Sequence, residues 1–73
     1  MKHEIGEYFR EEENQTIIDK HIIGKTVTPN EGRGKACVVN AGCDASGEYI
    51  TAKFLGISYK IRKELFGHFK LID

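Results

Sequence analysis

The stretch EYITAKFLGISYKIR, residues 48 to 62, decides the fold because it predicts a β-hairpin with one defined register. If Leu55 and Gly56 form the loop, the facing pairs on one side are all apolar. These pairs are Phe54 with Ile57, Ala52 with Tyr59, and Ile50 with Ile61. The pairs on the other side are polar or amphipathic, namely Lys53 with Ser58, Thr51 with Lys60, and Tyr49 with Arg62. A shift of one residue would bury charged side chains, so this register is strongly favoured.

Period-two alternation with frequent turns continues on both sides of this hairpin. The predicted strands span residues 25–28, 35–41, 48–55, 58–62 and 68–72. Residues 63–66, KELF, interrupt the alternation and are too few for a stable α-helix, so a single 3₁₀ turn is predicted there. Five short strands with one helical turn before the last predict a five-stranded SH3-like barrel, in which closure of the sheet hides its edges.

The first 23 residues follow a different pattern. Ile5, Tyr8 and Phe9 recur at i, i+3 and i+4, which predicts a short amphipathic helix from about residue 3 to 13. So short a helix depends on docking, either as a cap on the rest of the fold or as a detachable partner-binding element. Residues 16–23 fit a helix or a strand, and Gly24 favours a short helical turn. The predicted organisation is a helical segment, 1–23, packed on a barrel, 24–73.

Length and composition limit the class of protein. A chain of 73 residues, of which 40% are hydrophobic and 30% charged, is expected to fold as one small globular domain. Its apolar runs are far shorter than the roughly 20 residues that cross a bilayer. Glutamates interrupt the N-terminus where a signal peptide would be apolar. We therefore expect a cytoplasmic protein without a membrane partner.

The cysteines and histidines predict neither a metal site nor a disulfide. Cys37 is expected in the core and Cys43 near a turn, as ordinary thiols, because the reducing cytosol disfavours a disulfide. The three histidines lack the usual spacing of zinc ligands. They are His3, His21 and His68. No metal ion or cofactor is predicted.

The charges are unevenly distributed although they sum to zero. Residues 1–19 carry six acidic and two basic side chains, a net charge of −4, and the remaining residues carry nine basic and five acidic ones, a net charge of +4. This asymmetry predicts an acidic segment attached to a mildly basic body.

Short motifs in residues 24–62 resemble a known family. Gly-Lys-Thr-Val at 24–27, Gly-Arg-Gly at 32–34, Cys-Val-Val at 37–39 and Ala-Lys-Phe at 52–54 follow one another along the predicted strands. In this order they resemble bacterial SH3-like, or Tudor-like, domains such as those at the C-termini of repair helicases and in CarD-like RNA-polymerase-binding regulators. The resemblance implies a barrel fold and a partner protein in a polymerase or helicase machine. Gly32 and Gly34 either form a tight turn or present Arg33 to an anionic partner.

A basic face of the predicted hairpin is the candidate binding surface. Its residues are Tyr49, Lys53, Lys60 and Arg62, with Arg33 and Lys35 as neighbours. Cations replace phosphate counterions and a ring can stack on a base, so DNA or RNA is one candidate ligand. The other interpretation is a solvated face on which Tyr49 and Arg62 stack across strands. Zero net charge favours the solvated face, because nucleic-acid-binding proteins usually have a stronger basic footprint.

The predicted function is a non-catalytic binding module, with a protein as the favoured partner and nucleic acid as the alternative. An enzyme is the remote alternative. Cys37 and His68 could be imagined as a catalytic dyad, but nothing in their spacing supports one, and a small barrel is filled by side chains.

Overall fold

The computed structural model describes residues 2–13 and 15–72, which are mainly β. Within these ranges, strands β1 to β8 and 3₁₀ turns η1 to η3 follow in chain order. They are β1 (Lys2–His3), η1 (Ile5–Tyr8), β2 (Phe9–Glu12), β3 (Gln15–Ile18), η2 (Lys20–Ile22), β4 (Thr26–Pro29), β5 (Ala36–Asp44), β6 (Gly47–Phe54), β7 (Ile57–Arg62), η3 (Lys63–His68) and β8 (Phe69–Ile72). They form a six-stranded antiparallel sheet, ordered β1-β8-β4-β5-β6-β7, and a two-stranded antiparallel sheet, β2-β3.

The hairpin of β6 and β7 has the predicted register. Phe54 faces Ile57, Ala52 faces Tyr59, and Ile50 faces Ile61. Leu55 and Gly56 form the loop with φ angles of 51° and 80°. Two positive φ angles in a two-residue loop are typical of a type I′ turn, whose twist matches that of the flanking strands.

The five strands predicted after residue 24 are present as β4 to β8, with ends that differ from the predicted ones by at most three residues. The predicted 3₁₀ turn is also present and is two residues longer than predicted, ending at His68. The sheet is not closed, because its edges β1 and β7 do not pair with each other in the described ranges. The two residues of β1 lie instead along the free edge of β8, where Lys2 faces Ile72.

The predicted amphipathic helix over residues 3–13 is wrong, since 3₁₀ turn η1 and strand β2 lie there. Residues three apart lie on the same side of a 3₁₀ turn, so Ile5 and Tyr8 share a side without an α-helix. The Tyr8 carbonyl accepts a hydrogen bond of 2.8 Å from the Asp19 amide. Pairing of β2 with β3 satisfies backbone groups that so short a helix would leave unpaired at its ends.

Residues 16–23, whose sequence fits either a strand or a helix, contain both a strand and a helical turn. Strand β3 ends at Ile18, and η2 follows after Asp19, whose side chain accepts a hydrogen bond of 2.9 Å from the His21 amide. Gly24 has a φ of 96°, a conformation that suits the end of a helical turn. The helical turn is therefore present but spans only three residues.

One hydrophobic cluster joins the two parts of the chain. Its buried members are Ile5, Ile22, Val27, Val38, Ile50, Ala52, Ile61 and Leu71. The division of the chain at residue 24 stays a prediction, and both parts contribute to this cluster. Cys37 is exposed and not in the core as predicted, because its neighbour Val38 points inward and successive strand residues face opposite sides. Within the described ranges, no helix has the length and apolar character needed to cross a membrane.

Candidate binding groove

The apolar side of the β6–β7 hairpin extends beyond the core. Ile50, Ala52 and Ile61 are buried, whereas residues of the same side nearer the turn are exposed. Leu65 of η3 lines one groove with Phe54 and Tyr59, and Leu55 follows Phe54 in the turn. We call these exposed residues the apolar patch. Its members are Phe54 (38% exposed), Leu55 (85%), Ile57 (56%), Tyr59 (49%) and Leu65 (46%).

A groove of about 330 Å³ lies beside the apolar patch. The ends of β4 and β8, the β4–β5 loop, η3 and the hairpin form its walls, and its apolar lining includes Pro29, Phe54, Tyr59, Leu65 and Phe69. This volume is at the lower end of the range of about 300 to 1,000 Å³ that ligand pockets occupy. The groove therefore has room for one or two side chains.

Hydrogen bonds fix the β4–β5 loop against the groove. The Thr28 hydroxyl donates to the Gly34 carbonyl at 2.7 Å, and the Asn30 side-chain amide donates to the Gly67 carbonyl at 2.8 Å. Gly34 has a φ of 127°, and a Cβ added there would lie 3.8 Å from the Phe54 ring. Gly32 also has a positive φ. The interpretation of Gly32 and Gly34 as residues that allow a tight turn therefore fits the structure.

Three of the predicted site residues line this groove, Arg33 and Lys35 from the β4–β5 loop and Lys60 from β7, and none of the described lining residues is acidic. None of the ion pairs that the structure shows between described residues involves Arg33, Lys35 or Lys53. Uncompensated cations beside apolar surface produce a positive potential there, and this potential favours anionic groups on a ligand.

The face of the hairpin opposite the groove, which we call the outer face, carries Tyr49, Lys53 and Arg62 and the ammonium group of Lys60. Lys60 Nζ lies 4.4 Å from the centre of the Tyr49 ring, and Arg62 Cζ lies 5.8 Å from it. Arg62 Nη1 also donates to both carboxylate oxygens of Asp44 at 2.8 Å. Hydrogen bonds from Arg62 and from the Ser46 amide hold the pKa of Asp44 below its usual value. Two cations thus already contact the Tyr49 ring. These contacts agree with the interpretation of a solvated face on which Tyr49 and Arg62 stack across strands.

The six predicted residues are thus divided between the groove, which Arg33 and Lys35 line from the β4–β5 loop, and the outer face of the hairpin. Lys60 also lines the groove, although its ammonium group lies on the outer face. Lys53, which faces Ser58 across the hairpin, is exposed on the outer face. Their assignment as a binding site stays a prediction.

A polar contact fixes η3, and with it Leu65, relative to the sheet. The Thr16 hydroxyl of β3 donates to Glu48 Oε1 at 2.9 Å, and Lys63 Nζ of η3 lies 3.4 Å from Glu48 Oε2. Hydrogen bonds from its own backbone amide and from Thr16 hold the pKa of Glu48 below its usual value. Phe9 and Phe66 stack nearby with ring centres 5.3 Å apart.

The polar side chains that line the groove are cationic or phenolic. The described lining residues include Arg33, Lys35, Tyr59 and Lys60 but no serine, cysteine, histidine, aspartate or glutamate. In residues 2–13 and 15–72, no three His, Cys, Asp or Glu side chains form a group that could hold a metal ion.

The sequence reasoning missed most of the groove because it assigned the whole apolar side of the hairpin to the core. One signal was present in the chain length. A domain of 73 residues has a thin core, and three apolar pairs extend further along a hairpin than such a core can cover. The exposure of Phe54, Ile57 and Tyr59 follows from this mismatch.

Comparisons of the chain with protein-family models, with curated proteins and with solved structures find no match. The resemblance to bacterial SH3-like and Tudor-like domains therefore stays a prediction.

Proposed function

We propose that this protein is a non-catalytic binding module that holds a segment of a partner protein in the groove. One observation carries the proposal: the exposed apolar side chains Phe54 and Tyr59 of the hairpin and Leu65 of η3 line the same groove. Contiguous apolar surface on a small domain marks an interaction site, because its exposure to water is unfavourable until a partner covers it.

The charges around the groove indicate the chemistry of the partner. Arg33, Lys35 and Lys60 line the groove, and none of its described lining residues is acidic. A segment that combines an apolar anchor with flanking Asp or Glu residues would cover the patch and place its charges beside these cations. Lysine-rich or arginine-rich segments, in contrast, would be repelled.

An SH3-like barrel in the cytoplasm, bound to a polymerase or helicase component, is the specific form of this proposal. The chain order of β4 to β8, with η3 directly before β8, supports it because it matches the predicted sequence of five strands with one turn before the last. These five strands are also neighbours in one sheet. The resemblance of residues 24–62 supports the class of partner. The strand order supports the fold alone, since one fold serves many functions.

The experiment compares two substitutions at sites of equal exposure. Leu65, in the apolar patch, and Ile23, outside it, are both 46% exposed. We expect Leu65→Asp to abolish capture of specific proteins from a lysate of the source organism, and Ile23→Asp to leave it unchanged. A photoreactive phenylalanine at position 54 should then cross-link to an acidic and apolar segment of the captured protein. Equal capture by both variants, or cross-linking to a basic segment, would contradict the proposal.

Direct binding of nucleic acid through the outer face is the second candidate. Its supporting observation is that the β6 and β7 residues of this face include Tyr49, Lys53 and Lys60 but no carboxylate, and that the neighbouring Asp44 of β5 is already bound to Arg62. The test is a gel shift with single- and double-stranded DNA and RNA over a range of salt concentrations. Binding at low salt that weakens steeply with added salt would favour this candidate, and no binding would remove it.

A further inference from the structure

The unpaired edge of β7 lies directly beside the groove. We propose that β7 binds the partner segment as an added β-strand, whose alternate side chains reach the groove and the outer face. This inference rests on the proposed function and specifies how the segment is held. Edge strands offer free backbone groups that extended peptides can pair with, and the paired backbone then supplies affinity while the side chains supply specificity.

β7 pairs on one side only. In the described ranges its sole strand partner is β6, and β7 forms the last strand of the six-stranded sheet. Its first four residues, from Ile57 to Lys60, are exposed. An incoming strand can therefore approach this edge without displacing another element from those residues.

The geometry of the turn shows which backbone groups are free. In a hairpin with a two-residue loop, the residues that flank the loop exchange both backbone hydrogen bonds, and hydrogen-bonded pairs then alternate along the strands. Ile57, Tyr59 and Ile61 accordingly direct their amides and carbonyls toward β6. Ser58 and Lys60 direct theirs toward the free edge, where a new strand can pair with them.

The same alternation defines the side chains of the added strand. Its residues opposite Ser58 and Lys60 lie on the outer face, whereas the residue opposite Tyr59 lies on the apolar side next to the groove. Cationic Lys60 favours Asp or Glu on the outer face, and Tyr59 favours an apolar residue between them. The expected segment therefore alternates acidic and apolar residues.

A second copy of this chain fits the edge poorly. The outer-face side chains of β7 are Ser58, Lys60 and Arg62, and β7 contains no acidic residue. Edge-to-edge pairing of two copies would bring the Lys60 side chains near each other with no carboxylate on either strand. Like charges across a strand pair are destabilising, so the charges favour an acidic partner strand over self-association.

The probe is a short peptide that alternates glutamate with valine, and the control peptide has lysine in place of glutamate. The key variant carries a methyl group on the backbone nitrogen of Lys60, which removes the edge amide and keeps the side chain. This variant can be made by chemical ligation of a synthetic segment that begins at Cys43 and carries the methyl group to a segment that ends at Gly42. Its matched control is Lys60→Gln, which removes the charge and keeps the amide.

We expect the acidic peptide to protect the Ser58 and Lys60 amides from hydrogen exchange and to show strand-pairing proton contacts with β7 by NMR. Backbone methylation at Lys60 should weaken binding at least tenfold, and Lys60→Gln should weaken it less and remove part of its salt dependence. The lysine peptide should not bind.

Two results would overturn the inference. If the peptide perturbs Phe54, Leu65 and Phe69 but binds the methylated chain unchanged, the groove binds without strand addition and the proposed function survives. If the chain dimerises through β7 in analytical ultracentrifugation, the edge is an interface between copies. Failure of the Leu65→Asp comparison, in contrast, would refute the proposed function itself.

Discussion

The turn residue Leu55 gives the sharpest prediction, because stability and binding should respond to its replacement in opposite directions. Leu55 has a φ of 51°, and its side chain is 85% exposed. The left-handed conformation is unfavourable by about 1 to 2 kcal/mol for an ordinary L-residue, and asparagine tolerates it better. Because so little of the Leu55 side chain is buried, its removal should lose little packing.

We therefore expect Leu55→Asn to raise the free energy of unfolding by about 1 kcal/mol. For a domain of this size that is an increase in Tm of about 4 to 8 °C. Urea titration and thermal melting followed by circular dichroism measure both quantities. The matched control is Leu55→Ala, which removes the same apolar side chain but keeps a residue that is unfavourable at positive φ, and it should give no gain.

The same two variants test why a leucine is present at this turn. If Leu55 contributes to the apolar patch, both variants should bind the acidic peptide more weakly, although only Leu55→Asn is stabilised. A Leu55→Asn protein no more stable than Leu55→Ala would refute the argument from backbone conformation. Unchanged peptide affinity in both variants would show that Leu55 lies outside the binding surface.

Three further predictions concern the core, the Glu48 contact and the outer face. Ile50 is fully buried, so Ile50→Ala should lower the free energy of unfolding by about 2 to 5 kcal/mol, measured by urea titration; a smaller loss would contradict its place in the core. The pKa of Glu48 is held below 4.5, so its carboxylate stabilises the fold above that pH, and this contribution is lost as the pH falls through the lowered pKa. Wild type should therefore be more stable than Glu48→Gln near pH 7 and the difference should shrink in acid; a difference independent of pH would refute the assignment. Asp44→Asn should release Arg62 from its carboxylate, and neither this variant nor wild type should shift DNA or RNA at low salt; a stronger shift with the variant would instead assign nucleic-acid binding to the outer face.

The register of the β6–β7 hairpin could be predicted because the orientation of one facing pair determines the orientation of all the others. With a period of two, placing Ile50 and Ile61 inward necessarily places Lys60 and Arg62 outward. The same alternation located β4, β5 and β8 to within a few residues. The β5 end was missed because Gly42 and Asp44 are typical of turns, yet they continue the ladder by pairing with Tyr49 and Gly47.

The N-terminal segment could not be predicted from spacing alone. Spacings of three and four residues fit an α-helix, but the residues three apart, Ile5 and Tyr8, fit a 3₁₀ turn equally well. The deciding contacts are distant in sequence: Phe9 stacks on Phe66, and Thr16 bonds to Glu48. Tertiary contacts of this kind override weak local propensity.

Only part of the candidate site could be predicted, again because some of the deciding contacts are distant in sequence. Charge alternation identified Lys53, Lys60 and Arg62 as outward residues, and β6–β7 pairing confirms that they share a face. Nothing in the sequence shows that Arg33 and Lys35 lie on the groove side, because that depends on how the β4–β5 loop folds back. Hydrogen bonds of Thr28 and Asn30 to residues further along the chain determine that path.

The exposed edge strand β7 is an aggregation hazard as well as the proposed binding surface, and its charges bear on both. An edge such as β7, with Ile57 and Tyr59 exposed, would be prone to pairing with another copy of itself. Lys60 opposes that pairing through repulsion between like charges, and it also favours an acidic strand. If β7 binds as proposed, one cation at the middle of the edge disfavours self-association and favours an acidic partner strand, so Lys60, more than the buried residues, is expected to determine the specificity of binding.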